Sequence, residues 1–252
     1  MRVENIAAIV TGGASGLGAA TAEALAKRGA KVFAFDLPAS IEGAQGGDGI
    51  EYVAVDVTDP EQVRAAVGQA AGSGLPLRTV VNCAGIGPST RILGKKGVHD
   101  LALYAKVVQV NLVGSFNVLA LASERIAETE ADEHGQRGVI INTASIAAYD
   151  GQVGQAAYSS SKGGIVGLTL PAARDLAQYG IRVCTIAPGI VDTPMLATVS
   201  EEFRAGLAAG VPFPKRLARP DEYAQLALSI IEHDYLNGET IRMDGALRMA
   251  PR

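Results

Sequence analysis

The run Thr11-Gly12-Gly13-Ala14-Ser15-Gly16-Leu17-Gly18 constrains the fold more than any other stretch of the chain. A short apolar run, Ile6 to Val10, precedes it, and Ala19 to Arg28 follows, with Ala and Leu recurring at helical spacing before Gly29. A continuous apolar run suits a strand covered on both faces, as in a parallel sheet, and the glycines let the chain turn sharply into a helix. That order sets a helix N-terminus beside backbone that a bulky anion can approach. Gly12, Gly16 and Gly18, with Ser15 and Leu17 between them, are expected to cradle a pyrophosphate whose charge the helix end stabilises. A glycine cluster alone would mark only a tight turn; its place between strand and helix makes it a nucleotide signal.

The same alternation continues along the chain. Lys31 to Phe35 reads as a second strand ending at Asp36, whose carboxylate can accept from adenosine ribose hydroxyls and would repel a 2′-phosphate, so NAD is expected rather than NADP. Pro38 to Gly49 reads as a loop and Glu51 to Val55 as a third strand. Asp56 to Pro60 is an acidic turn before a helix reaching about Ala71; Asp56, with Val57, meets the adenine or serves only as a cap. Thr79 to Val81 leads into Asn82-Cys83-Ala84-Gly85, where Asn82, Ala84 and Gly85 suit a nucleotide lying overhead at the strand-order switch of an open sheet. Ile86 to Asp100 reads as an exposed loop in which Lys95 and Lys96 are by default solvated. Leu101 to Thr129 is helical, and its interior Asn111 is solvent-facing, bonded to a carbonyl, or the mark of a helix distortion around a water.

Val139 to Thr143 is a further strand, Ala156 to Tyr179 a long helix, Ile181 to Ile186 a strand, Pro220 to Glu232 a helix, and Thr240 to Gly245 a last strand. Gly163, Gly164 and Gly167 are expected to let a neighbour pack closely on the long helix. A mixed segment at about 190–219, with Phe203, Leu207, Val211, Phe213 and Leu217 as apolar points, reads as a lid or pocket wall. At least six strands alternating with helices, with no domain break or short repeat over residues 1–252, predict one α/β domain built on a doubly wound parallel sheet.

With 48% hydrophobic residues, 30 Gly and only 19% charged residues, the chain has the makings of a large core with many tight turns. A formal net charge of -4 gives no basic footprint for nucleic acid and no polybasic signal for a membrane. Neither a signal-peptide pattern nor an apolar run of membrane-spanning length is evident, so a soluble cytoplasmic protein is expected. Cys83 and Cys184 stand in apolar runs and read as buried reduced thiols, and no metal site is expected.

The chemistry concentrates between Thr143 and Lys162. Ser145 follows a strand, and Tyr158 and Lys162 share one helical face. The ammonium is expected to lower the pKa of the phenol and make it a usable acid/base, with Ser145 bonding a substrate oxygen. Lys162 can also hold a nicotinamide ribose, and Asn111 can anchor a water for proton relay. In oxidation Tyr158 would take a hydroxyl proton as hydride passes to the nicotinamide. The competing readings are a solvated serine-rich helix edge and a serine nucleophile, but His99, His134 and His233 lie outside any nucleophile-elbow context.

These motifs, together with Pro188-Gly189 and Thr193, resemble the short-chain dehydrogenase/reductase family over nearly the whole chain. The resemblance implies a Rossmann fold of about seven strands with helices on both faces and the tetrad Asn111, Ser145, Tyr158 and Lys162. It further implies cofactor contacts from Pro188, Gly189 and Thr193, and a homotetramer built through two long helices and the C-terminal strand region. Within the family, the runs Asp36-Leu37-Pro38, Gln136 to Ser145, Gly151 to Tyr158, Val211 to Pro214 and Asp244 to Met249 resemble a subgroup that uses NAD to oxidise 3-hydroxyacyl-CoA. That subgroup has an inserted loop where Lys95 and Lys96 stand, which puts these lysines near a CoA phosphate and Gln155 near the substrate. The alternatives are a hydroxysteroid or other secondary-alcohol dehydrogenase and a catalytically silent NAD-binding scaffold.

Overall fold

The computed structural model describes residues 1–44, 46–95, 97–196 and 200–251. In β1 (Ala7–Thr11) successive residues face opposite sides, so Ala7 and Ile9 enter one apolar cluster while Ala8 and Val10 enter another. β2 (Lys31–Asp36), β3 (Ile50–Ala54) and β4 (Leu77–Asn82) follow, then a two-residue antiparallel pair, β5 (Leu93–Gly94) and β6 (Gly97–Val98). β7 (Gly138–Thr143), β8 (Ile181–Pro188) and β9 (Thr240–Met243) complete a seven-stranded parallel sheet in the order β3-β2-β1-β4-β7-β8-β9. Strand order reverses between β1 and β4, so a crevice opens over their C-terminal ends.

Register holds the core together. Phe33, Ile9, Val80, Ile140 and Val183 are paired strand to strand and form one fully buried apolar row. Each such side chain contributes about 1.5–3 kcal/mol by leaving water, against about 0–1 kcal/mol for an exposed ion pair, so the row and not the surface charges fixes the sheet. On this face lie α3 (Pro60–Ala71), α5 (Ser115–Ala127) and α6 (Ala156–Leu176); the other face is covered by α1 (Gly16–Lys27) and α8 (Pro220–Glu232). The shorter helices are α2 (Pro38–Ile41), α4 (Leu101–Val108) and α7 (Glu201–Ala209).

Several expectations are corrected. α1 begins at Gly16, inside the glycine run, and the loop after β2 contains the helical turn α2. The segment from Ile86 to Asp100 carries the β5–β6 hairpin; Lys95 in it is exposed, and Lys96 lies outside the described residues. Leu101 to Ala127 forms one continuous helical run in which residues Gln109–Gly114 take a π-helical turn between α4 and α5. This run has the length and hydropathy of a membrane span, which the sequence reading did not anticipate. Val107, Val118, Leu119, Ala122 and Ile126 are buried, and the last four pack into the core, which accounts for an apolar composition on one face. Of the three glycines in α6 only Gly164 faces a close neighbour, with Leu112 within 2.6 Å of an added Cβ; Gly163 and Gly167 meet nothing within 4 Å. The segment expected as a lid or pocket wall is bridged near its ends between Val191 and Ala218 and contains α7.

Arg182 shows how β8 and α8 are joined. Its guanidinium, only 5% exposed, donates to the carbonyls of Ile230, Ile231 and Leu236 and to Gln136 Oε1 at 2.8–2.9 Å. Two of these carbonyls belong to the last turn of α8, where no further helical N–H is available to them. Arg182→Met should therefore lower unfolding free energy by about 3 kcal/mol in urea titrations, because it leaves several buried acceptors unpaired.

Candidate active site

The glycine run forms a cradle at the crevice. Gly12 has φ +63°, and a Cβ there would come within 2.9 Å of Ala84 N, so the turns after β1 and β4 touch. A Cβ on Gly18 would lie 2.1 Å from Gly12 O, which excludes any side chain where α1 starts. Thr11 Oγ1 accepts from both Cys83 N and Ala84 N at 3.1 Å and locks the two turns together. Ser15, the N-cap of α1, makes no side-chain capping bond, so the first N–H groups of the helix keep their capacity to bind an anion.

Asp36 ends β2 beside this cradle. Its Oδ2 accepts from Ala14 N at 3.0 Å and its Oδ1 from Leu37 N at 2.8 Å, which fixes the carboxylate while leaving further acceptor positions. Asp56 Oδ1 accepts from the N–H and hydroxyl of Thr58, while the helix cap itself is Asp59. Val57 is buried, and a Cβ on Gly114 would meet its Cγ2 at 2.6 Å. Asn82 turns its side chain inward to Asn142 Oδ1 at 2.9 Å and Ser115 O, so the side chain expected at the nucleotide is engaged in the core. Gly189 packs on Asp244, and Thr193 with Pro194 comes within 3.6 Å of a Cβ built on Gly16, closing over the glycine turn. An uncapped helix end, a turn that admits no side chain at Gly12 or Gly18 and a fixed carboxylate together fit a dinucleotide.

The catalytic candidates converge at the end of β7. Ser145 caps a short 3-10 turn, accepting from Ala147 N at 3.1 Å, with its side chain near enough to Tyr158 to favour the ionised phenol. Lys162 is 4% exposed and donates from Nζ to Thr143 O at 2.7 Å. Burial brings its pKa down to about 8, the nearby Cys83 opposing the shift. Nζ stands 5.7 Å from the centroid of the Tyr158 ring. The expected lowering of the phenol by the lysine is not met: burial raises the pKa of Tyr158, and the neighbouring Ser145 side chain opposes this only in part. The ammonium is already held by the Thr143 carbonyl and is not among the groups that shift the phenol.

Asn111 is fully buried and sits in the π-helical turn, which settles the solvent-facing alternative against it. Its Nδ2 donates to Ile86 O at 2.9 Å and Ser161 Oγ at 3.0 Å, and its Oδ1 accepts from Ile86 N at 2.8 Å. It thus ties the turn after β4 to α6 one residue from Lys162. Gln155 Oε1 accepts from Gln152 N, which shapes the loop leading into α6.

Spacing did not reveal the clamp around Arg242. That guanidinium bonds Asp150 Oδ2 at 2.6 Å, Asp244 Oδ2 at 2.7 Å and Leu247 O at 3.0 Å, and stacks 5.1 Å from the Tyr149 ring centroid. It joins the segment after Ser145 to the C-terminal strand, whose tail also bonds Gln152 and Val153. The sequence reading placed Arg242 and Asp244 together in the last strand, whereas the strand ends at Met243 and Asp244 turns back onto the guanidinium. A depression of about 880 Å³, lined in part by Arg28, Arg78, Glu232 and Asp234, lies at the opposite ends of the strands. Its Arg28 is paired with Glu232 and its Arg78 with main-chain carbonyls, so the chemistry stays with the crevice. No group of three or more potential metal ligands occurs among the described residues.

Comparison with known proteins agrees with this geometry. Residues 6–203 match a sequence family described as short chain dehydrogenase. The chain is 52% identical to 3-hydroxyacyl-CoA dehydrogenase type-2 of Homo sapiens, over 99% of this chain and 97% of that one. It is 50% identical to the protein of the same name in Drosophila melanogaster, over 99% and 100%. A crystal structure of 3-hydroxyacyl-CoA dehydrogenase type-2 from Mycobacterium avium superposes with a TM-score of 0.93 at 43% identity, covering 98% of both chains.

Proposed function

The chain belongs to the short-chain dehydrogenase family, and from that premise we propose that it interconverts a 3-hydroxyacyl-CoA and the corresponding 3-oxoacyl-CoA with NAD. It is an oxidoreductase acting on a CH–OH group, and the family generally uses NAD or NADP. Near full-length similarity to enzymes named for this thioester carries the substrate reading. The convergence of Ser145, Tyr158 and Lys162 supports the chemistry. Bound NAD supplies the hydride acceptor. Ser145 holds the substrate oxygen, and Tyr158 takes the hydroxyl proton in oxidation or returns it in reduction. Because burial keeps the proton on Tyr158, the phenol is ready to donate at neutral pH, and oxidation gains as pH rises. Lys162 orders the floor of the site through Thr143.

Asp36 favours NAD because a fixed carboxylate beside the cradle would repel a 2′-phosphate. Gly163 and Gly167, open on α6, and the exposed Leu101 and Phe116 on the α4–α5 run are surfaces suited to assembly of copies into a tetramer.

With acetoacetyl-CoA and NADH, the wild type should turn over readily, and Tyr158→Phe should lose about 100- to 10,000-fold in kcat while still binding NADH by fluorescence titration. No turnover of the thioester by the wild type, with good turnover of another alcohol or ketone, would reject the substrate; a Tyr158→Phe variant of near-normal kcat would reject the acid/base. Asp36→Ala should lower the preference for NADH over NADPH by about 10-fold or more in kcat/KM, and an unchanged ratio would remove the ribose assignment.

A further inference from the structure

Tyr223 lies on α8, across the sheet from the helix that carries Tyr158 and Lys162. It is completely buried, and its hydroxyl is 2.7 Å from Thr143 Oγ1 and 3.7 Å from Cys83 Sγ. Thr143 Oγ1 in turn reaches Cys83 Sγ at 3.6 Å. A buried phenol hydroxyl needs a partner, and any polar neighbour would satisfy that need. Here the partner is the residue whose own carbonyl accepts Lys162 Nζ at 2.7 Å. Thr143 is therefore gripped from both sides of the sheet, by its side chain from α8 and by its main chain from α6.

The register shows why such a grip matters. Pairing of β7 with β4 stops at Asn142 opposite Asn82, whereas pairing with β8 runs on to Thr143 opposite Ile186. Thr143 thus has a strand neighbour on one side only, and the Tyr223 hydroxyl anchors its side chain just where the ladder to β4 has ended. We propose that Tyr223 is a positioning residue, which fixes Thr143 and thereby the carbonyl that holds the catalytic ammonium of Lys162. The role differs from core packing because it depends on the hydroxyl and not on the ring. It rests on the reading of Lys162 as part of the catalytic site.

The groups facing Lys162 are few. Tyr158 stands on its own helix, the neutral Asn111 shares the space above Gly85 with it, and Cys83 comes from the turn after β4, while Tyr223 of α8 lies behind Thr143. A carbonyl that drifts from Nζ leaves the ammonium less stabilised, so the lysine gives up its proton more easily.

The test is an NMR titration of protein labelled with 13C at the lysine side chains, without nucleotide or substrate. Lys162 should titrate near 8 in the wild type, and its midpoint should fall by about half a unit or more in Tyr223→Phe. Thr143→Val should give a similar fall, Thr143→Ser should restore the wild-type midpoint, and the double variant Tyr223→Phe/Thr143→Val should fall no further than either single one. An unchanged or raised midpoint in Tyr223→Phe and in Thr143→Val would overturn the proposal, whatever stability either variant had lost. If Tyr223→Phe does not fold, Thr143→Val decides the outcome alone. Since no acyl-CoA or NAD enters the titration, a failed substrate assay and a failed positioning role give separate results.

Discussion

The bond from the Lys162 ammonium to the Thr143 carbonyl, made away from water, is the contact on which the site depends. Burying a lysine is unfavourable, and its pKa of about 8 measures that cost. The fold tolerates it because each neighbour of the pair is held by something larger. Thr143 ends a strand whose register is set by the buried row from Phe33 to Val183, and Lys162 rides on a helix whose far end packs in the same cluster through Ala172 and Ala173. Asn111 adds a cross-brace through Ser161. The phenol, the serine and the nucleotide cradle then take their places around a point held by the sheet on one side and by side-chain hydrogen bonds on the other.

Much of this was legible in the residues. The glycine run could be read because a close approach between the turns after β1 and β4 leaves no room for side chains, and a sequence displays that requirement directly as glycine. Tyr158 and Lys162 could be read because helical spacing alone sets them on one face, and Pro220 to Glu232 because Pro at N1 and apolar spacing delimit the helix. The π-helical turn was read only as one of three options for Asn111, since it arises from tertiary bonds to Ile86 and Ser161 that no local pattern encodes.

The direction of the Tyr158 shift was missed for a related reason. Spacing shows that an ammonium is near a phenol, but not that desolvation outweighs its influence on the phenol or that a main-chain carbonyl already holds it. Tyr223 and Arg242 were likewise invisible as parts of the site, and Thr143 bounded the predicted stretch without a role, because each acts through a contact between segments far apart in sequence. Where a residue works through long-range hydrogen bonds its own neighbours in the chain say little. The surrounding loops divide on the same line: the segment expected as a lid is bridged between Val191 and Ala218, and Arg242 ties the segment after Ser145 to the C-terminal strand.

The central claim is that the fold carries an unfavourably buried charge at Lys162. Its folded-state pKa, about 8, is depressed below the ordinary 10.5, so the unfolded chain binds the proton more tightly. The penalty is fully present below about 8 and is relieved as pH rises towards 10.5. Unfolding free energies of the wild type and Lys162→Met, measured in urea across this range, isolate the group together with its coupling to Cys83, because titrations not coupled to it cancel in the difference. The wild type should gain about 3 kcal/mol relative to Lys162→Met between about pH 7 and about pH 10.5. A difference that stays flat with pH would contradict the account.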